Sequence, residues 1–302
     1  MRHGLPSLAF VLLASTRLAA QGPPGQEMQL IRSARGLPVI VMHAGDEILR
    51  LGVDTGTSRT LVSGAAVRRL GLQPRSRFLV GDAVGPSRVA LCAAAPSLRL
   101  GHVPVALECL AWIPEEIEVA GAEGLDGILG ADALAQLDFW VDLRSDPVRA
   151  RVAPPGSLGP WMDGQRLRLE VIGRRPAIGV DVGFGRDTAA ARLILDSGCG
   201  TLVLFGGLAE RVAAGLPHRS GDARIETATA SREVAMVPIA SVRSGRALFR
   251  APWAGLLPHV TDRPEDGLLP LAALGPVLLD VSNRLVITGA RLRAATRPRP
   301  GG

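Results

Sequence analysis

Ile48-Leu49-Arg50-Leu51-Gly52-Val53-Asp54-Thr55-Gly56 returns in altered form as Ala191-Arg192-Leu193-Ile194-Leu195-Asp196-Ser197-Gly198, an apolar run that ends in Asp-Thr/Ser-Gly. Two more matches follow in the same order. Leu125-Asp126-Gly127-Ile128-Leu129-Gly130-Ala131-Asp132-Ala133-Leu134 resembles Glu265-Asp266-Gly267-Leu268-Leu269-Pro270-Leu271-Ala272-Ala273-Leu274, and Phe139-Trp140-Val141-Asp142 resembles Val277-Leu278-Leu279-Asp280. The aspartates at the three matches are offset by 142, 140 and 138 positions. A single Asp-Ser-Gly or Asp-Gly carries little weight, because both are common turn sequences. Three ordered matches at nearly one spacing define an internal repeat.

Working outward, each half opens with a hairpin signal. In the first, Pro38 to Met42 and Ile48 to Val53 flank a turn at Gly45-Asp46; in the second, Ala177 to Val182 and Arg192 to Leu195 flank a Gly-rich turn. Short helical stretches, Ala65 to Leu70 and Leu208 to Ala214, follow each Asp-x-Gly, and further hairpins are expected over Phe78 to Leu91 and Ile225 to Ile239. The 36 Gly and 23 Pro are spread along all 302 residues, which suits many short strands and turns and excludes a helical bundle. The expectation is a mainly β chain of two lobes with a few short helices. Its boundaries fall at a linker over 21–35, an N-terminal lobe over 36–153, an interlobe linker over 154–164, a C-terminal lobe over 165–290 and a disordered tail over 291–302.

The net charge of +6 comes from 34 basic residues, all of them Arg, against 28 acidic ones. The arginines lie singly or in pairs, and aromatics make up only 3%, so the clustered basic footprint of a nucleic-acid binder is missing. Residues 1–20 combine Arg2 and His3, an apolar run from Leu5 to Ala14 and a small Ala20, the pattern of a cleaved secretory signal peptide. The run is shorter than a spanning helix needs, and no later segment qualifies. A secreted or periplasmic protein with no membrane span after cleavage is therefore expected. In such a compartment disulfides persist. Cys92 and Cys109 either pair across neighbouring strands or are ordinary half-buried residues, and with three Cys one stays single or pairs between chains.

A strand that delivers Asp into a Gly-containing turn holds a carboxylate at a fixed place. If the halves pack about a pseudo-two-fold axis, Asp54 and Asp196 meet on it. Two adjacent carboxyl groups share one proton. One then acts as general base on a water while the other hydrogen-bonds the carbonyl under attack. This chemistry needs no metal and no cofactor, and the five His show no metal-ligand spacing.

These motifs resemble those of the pepsin-like and retropepsin-like aspartic proteases, in a two-lobed bacterial exported form. Val53-Asp54-Thr55-Gly56-Thr57 with Asp126-Gly127-Ile128-Leu129-Gly130, and Leu195-Asp196-Ser197-Gly198 with Asp266-Gly267-Leu268-Leu269, carry the resemblance, which covers residues 36 to 290. It implies two homologous acid-protease β-barrel lobes related by a pseudo-two-fold axis and an aspartic endopeptidase that is a monomer acting on polypeptides. Asp54 and Asp196 are its catalytic pair, with Thr55, Gly56, Thr57, Ser197 and Gly198 supporting them. The flap over the substrate is expected at Gly81-Asp82-Ala83-Val84-Gly85.

Two positions depart from the family pattern. Cys199 replaces the hydroxyl residue that supports the catalytic carboxylate, and Pro270 replaces a Gly. The flap carries no Tyr. The alternative reading is a catalytically silent peptide-binding protein of the same fold. Asp126, Asp142, Asp266 and Asp280 are expected in structural turns.

Overall fold

The computed structural model describes residues 23–34, 36–81, 87–114, 124–216, 221–226 and 231–293. The expected signal peptide lies outside the described residues. The protein is mainly β, in two sheets. No helix among the described residues is long and apolar enough to cross a membrane.

The repeat in the sequence is a repeat in topology. In the first half, Pro38–Ala44 and Glu47–Val53 form an antiparallel hairpin, and Gly127–Leu129 then pairs parallel with the second of these strands while lying antiparallel to Leu61–Val62. In the second half, Arg175–Phe184 and Asp187–Asp196 form the hairpin, and Gly267–Pro270 pairs parallel with Asp187–Asp196 and antiparallel to Leu202–Phe205. Leu61–Val62 also runs parallel to Leu110–Trp112, as Leu202–Phe205 does to Trp253–Leu257. The glycines that begin each inner strand are required by close approach. A side chain on Gly127 would overlap the Leu61 carbonyl, and one on Gly267 would overlap the Val203 carbonyl.

Hydrophobic alternation explains the hairpins. Leu49, Leu51 and Val53, with Ile40 and Met42 opposite, are fully buried, and Leu193 and Leu195 do the same in the second half with Ile178, Val180 and Val182. Both predicted helices are present, as Gly64–Arg69 and Gly206–Ala214. The first is capped by Ser63, whose Oγ accepts from Ala66 N.

The two halves are joined by a shared run of six strands. Its order is Met162–Arg168, Leu285–Leu292, Val277–Asp280, Asp138–Asp142, Val148–Ala153, Gln26–Arg32, three from each half. The central pairing places Phe139 opposite Leu279 and Asp138 opposite Asp280.

This sheet corrects three expected boundaries. The proposed linker over 21–35 contains the strand Gln26–Arg32, held by five backbone partners in Val148–Ala153. The interlobe linker over 154–164 ends inside the strand Met162–Arg168, and the tail expected from 291 overlaps the strand Leu285–Leu292, because Arg291 and Leu292 pair with Asp163 and Met162. In each case the ladder partner lies more than a hundred residues away, where local propensity cannot see it.

Cys92 and Cys109 are joined by a disulfide with Cα atoms 5.7 Å apart, and Cys199 is free. The bridge spans neighbouring antiparallel strands, since Cys92 stands opposite Ala111 and Ala93 opposite Leu110.

Candidate active site

Each half presents its Asp at the end of the hairpin's second strand, and the inner parallel strand fixes the turn that follows. Asp54 N donates to Leu129 O at 3.0 Å and Ala131 N donates to Thr57 O at 2.8 Å, so the Asp54–Thr57 turn is tied at both ends. On the other side Asp196 stands in register with Pro270.

The residues after each Asp cross between the halves. Thr55 Oγ1 donates to Leu195 O at 2.6 Å and accepts from Ser197 N at 2.9 Å. Ser197 Oγ donates to Val53 O at 2.9 Å and accepts from Thr55 N at 3.0 Å. Four hydrogen bonds thus form a two-fold exchange in which each hydroxyl satisfies backbone groups of the opposite turn. Thr55 is fully buried, where unpaired groups would be costly.

The glycines bring the carboxyl groups together. A Cβ on Gly56 would overlap the Asp196 carboxyl group, and one on Gly198 would lie 3.2 Å from Asp54 Cγ. Each turn therefore passes directly beside the other half's aspartate, and only glycine leaves the room.

The two carboxyl groups are supported unequally. Asp54 Oδ1 accepts from Gly56 N at 2.8 Å and Thr57 N at 3.1 Å, and its Oδ2 accepts from Thr57 Oγ1 at 2.7 Å. Asp196 Oδ1 accepts from Gly198 N at 2.7 Å. Cys199 stands at the position equivalent to Thr57, but its Sγ donates to Thr201 O at 2.6 Å and gives the dyad no donor. Burial is the main cause that pushes Asp196 up to about 8, and the adjacent Asp54 charge adds to it. Burial likewise pushes the Cys199 thiol up, so it is not a thiolate at neutral pH.

The arrangement places one carboxyl group rich in donors beside Asp196, whose proton is held more tightly than usual. That is the pairing needed to deprotonate a water on one side and donate to an oxygen on the other.

Of the expected flap, Gly81 is exposed at the end of the strand Ser76–Val80, while Asp82, Ala83, Val84 and Gly85 lie outside the described residues. The arms of this hairpin, Ser76–Val80 and Arg88–Ala93, are paired in register. Sequence reasoning missed Phe78, which shares the inner face of the hairpin with buried Ala90 opposite. The Arg59 guanidinium lies 4.8 Å from its ring centroid, so this arm packs on the segment leaving the Asp54 turn. The signal was an aromatic at an inward position of a strand, three residues before the expected flap.

The other repeated aspartates are structural. Asp126 Oδ2 accepts from Arg50 N and Asp266 Oδ2 from Arg192 N, equivalent clamps onto the two hairpins. Asp142 accepts from Arg144 N, and Asp280 accepts from Ser282 Oγ and from both Asn283 N and Nδ2. Among the described residues no group of three or more His, Cys, Asp or Glu gathers to hold a metal ion. No protein-family model matches the sequence, and no curated protein matches it.

Proposed function

We propose that the protein is an aspartic endopeptidase of the two-lobed, pepsin-like and retropepsin-like kind, with Asp54 and Asp196 as its catalytic pair. The observation that carries this reading is the interleaving of the two Asp-x-Gly turns. Each glycine passes beside the opposite aspartate, and Thr55 and Ser197 lock the crossing. A pair of turn aspartates capping local amides would not need a partner turn 142 residues away.

In the proposed reaction a water lies between the carboxyl groups. Asp54, the carboxylate with three donors, takes a proton from the water as its oxygen attacks the peptide carbonyl carbon, and Asp196 gives its proton to the carbonyl oxygen. The tetrahedral intermediate collapses as Asp54 passes its proton to the leaving nitrogen and the C–N bond breaks; Asp196 recovers a proton from the hydroxyl that becomes the new carboxyl group. Water is consumed and no covalent enzyme intermediate forms. The substrate is an extended polypeptide laid as a strand across the dyad. The protein acts as a monomer, because a single polypeptide supplies both carboxyl groups, and the leader-like residues 1–20 support a secreted or periplasmic setting.

The experiment is cleavage of a mixed peptide library from pH 3 to 8 by the protein from residue 21, alongside Asp54→Asn and Asp196→Asn. Cleavage lost in both variants supports the reading. Cleavage that survives either substitution overturns it.

A further inference from the structure

Besides Cys199, the two halves differ at a second place beside the dyad. In the first half, Thr60, Gly130 and Asp132 form a polar clasp. Asp132 Oδ1 accepts from Thr60 N and Thr60 Oγ1, both at 2.8 Å, and Gly130 N donates to Thr60 Oγ1 at 3.2 Å. The strand registers make Leu202, Pro270 and Ala272 the equivalents in the second half. All three polar partners are lost together. Pro270 has no N–H, and neither Leu202 nor Ala272 can answer one.

A cavity of about 330 Å³ occupies the second-half position, with Leu202, Pro270 and Ala272 in its wall beside Gly200 and Thr201. It adjoins the catalytic turn, because Pro270 stands in register with Asp196 and Gly200 follows Asp196 by four residues. Trp253, 44% exposed, and the two arginines Arg144 and Arg250 also line it. Arg144 is held in place by Nε and Nη2 donating to the carbonyls of Ala272 and Ala273. No carboxylate lines the cavity, and among the described residues none pairs with either arginine.

We propose that this cavity is a subsite for a carboxylate of the peptide substrate, with its stem against Trp253 and Ala272 and its charge taken by Arg144 and Arg250. The proposal rests on the dyad reading for its substrate class. The exposed Trp253 ring beside two arginines suits the methylene stem and head group of a Glu side chain, and guanidinium groups bind carboxylates through charge-assisted, often bidentate hydrogen bonds. The free C-terminus of a peptide offers the same head group, and the test separates the two sources. Arg250 is the residue to vary, because Arg144 also bonds the backbone and its loss would disturb the fold.

The probes are acetylated, amidated decapeptides in matched pairs that carry Glu or Gln at one position, scanned along the sequence, with a third set that has Gln and a free C-terminus. Cleavage by the active protein and binding to the Asp54→Asn variant, read from tryptophan emission, are both measured. We expect one position at which Glu raises kcat/KM and affinity about tenfold over Gln, a ratio that falls to about one in Arg250→Ala and inverts in Arg250→Glu. A gain seen only with the free C-terminus, and lost in Arg250→Ala, assigns the subsite to the peptide end. Equal handling of all peptides while they are cleaved overturns the subsite and leaves the dyad reading standing. A carboxylate preference in binding that Arg250→Ala removes, without cleavage of any peptide, supports the subsite and overturns the dyad reading. Equal binding without cleavage overturns both.

Discussion

Thr55 and Ser197 exchange hydrogen bonds across the molecule, each hydroxyl accepting from the other's backbone N–H and donating to the carbonyl that precedes the other's aspartate. The exchange holds two turns from distant parts of the sequence in one geometry, with Thr55 wholly excluded from water. Thr55→Ala leaves the Leu195 carbonyl and the Ser197 N–H without their partner, and should cost about 1–3 kcal/mol in chemical denaturation. Thr55→Ser keeps the hydroxyl and should recover most of that loss. Equal destabilisation by both variants would mean that methyl packing, not the exchange, is what matters.

Gly56→Ala tests the crossing from the other side. The added methyl group would overlap the Asp196 carboxyl group, so one turn must move. A displacement on the order of 1 Å at reacting groups costs about 100-fold in rate, and peptide cleavage should fall by at least that much while circular dichroism stays that of the parent. Unimpaired cleavage would show that the carboxyl groups do not need this spacing.

Cys199→Thr restores a hydroxyl at the position equivalent to Thr57. By analogy with the Thr57 Oγ1 contact to Asp54, the new hydroxyl should donate to Asp196 and favour its ionised form. That lowers the raised Asp196 value, and the alkaline limb of the kcat/KM profile should move to lower pH by roughly one unit. An unmoved limb would show that the thiol position does not tune the pair.

A second buried carboxyl pair gives a prediction about stability. Asp138 and Asp280 face each other in the central strand pairing, both almost fully buried. Asp138 accepts from Gly156 N and Leu158 N, yet burial, together with the Asp280 charge, pushes it up to about 6. Its folded value lies above the unfolded one of about 3.9. The folded state therefore keeps a proton that the unfolded state releases, and stability falls as pH rises from about 4 to about 6. The loss should be on the order of 1–3 kcal/mol. Asp138→Asn should flatten that stretch of the curve of melting temperature against pH; a slope identical to the parent's would place the effect elsewhere. Asp196 contributes a loss of the same sign up to about 8, which the comparison of variant with parent removes.

The repeat, the hairpins and the dyad were legible because their chemistry is concentrated in short motifs, an apolar alternation followed at once by Asp-x-Gly. Asp138 was not. The sequence pairs Asp280 with Asp142 as repeat mates, but an antiparallel pairing about a two-fold axis sets position 280 against the far end of the equivalent strand, which is Asp138. The strand Gln26–Arg32 was hidden for a related reason. Met28 and Leu30 alternate with polar residues too briefly to stand alone, and its partner Val148–Ala153 lies far along the sequence. The cavity beside Pro270 was invisible because the residues that line it come from separated parts of the sequence, each bland by itself. In the sequence Pro270 reads only as the replacement of a Gly; the structure adds that a backbone donor goes with it and that the acceptor, the hydroxyl of Thr60, is gone from the equivalent Leu202 as well.

In the proposed mechanism Asp54 and Asp196 act as one unit on one water. The most direct test is calorimetric binding of a statine-type peptide, whose hydroxyl takes the place of that water, against a matched plain peptide. The account predicts binding at least about 100-fold tighter for the statine peptide, as for transition-state mimics generally, with the advantage lost in both Asp54→Asn and Asp196→Asn. Equal affinity for the two peptides on the parent protein would contradict the account and leave a protein that holds peptides without hydrolysing them.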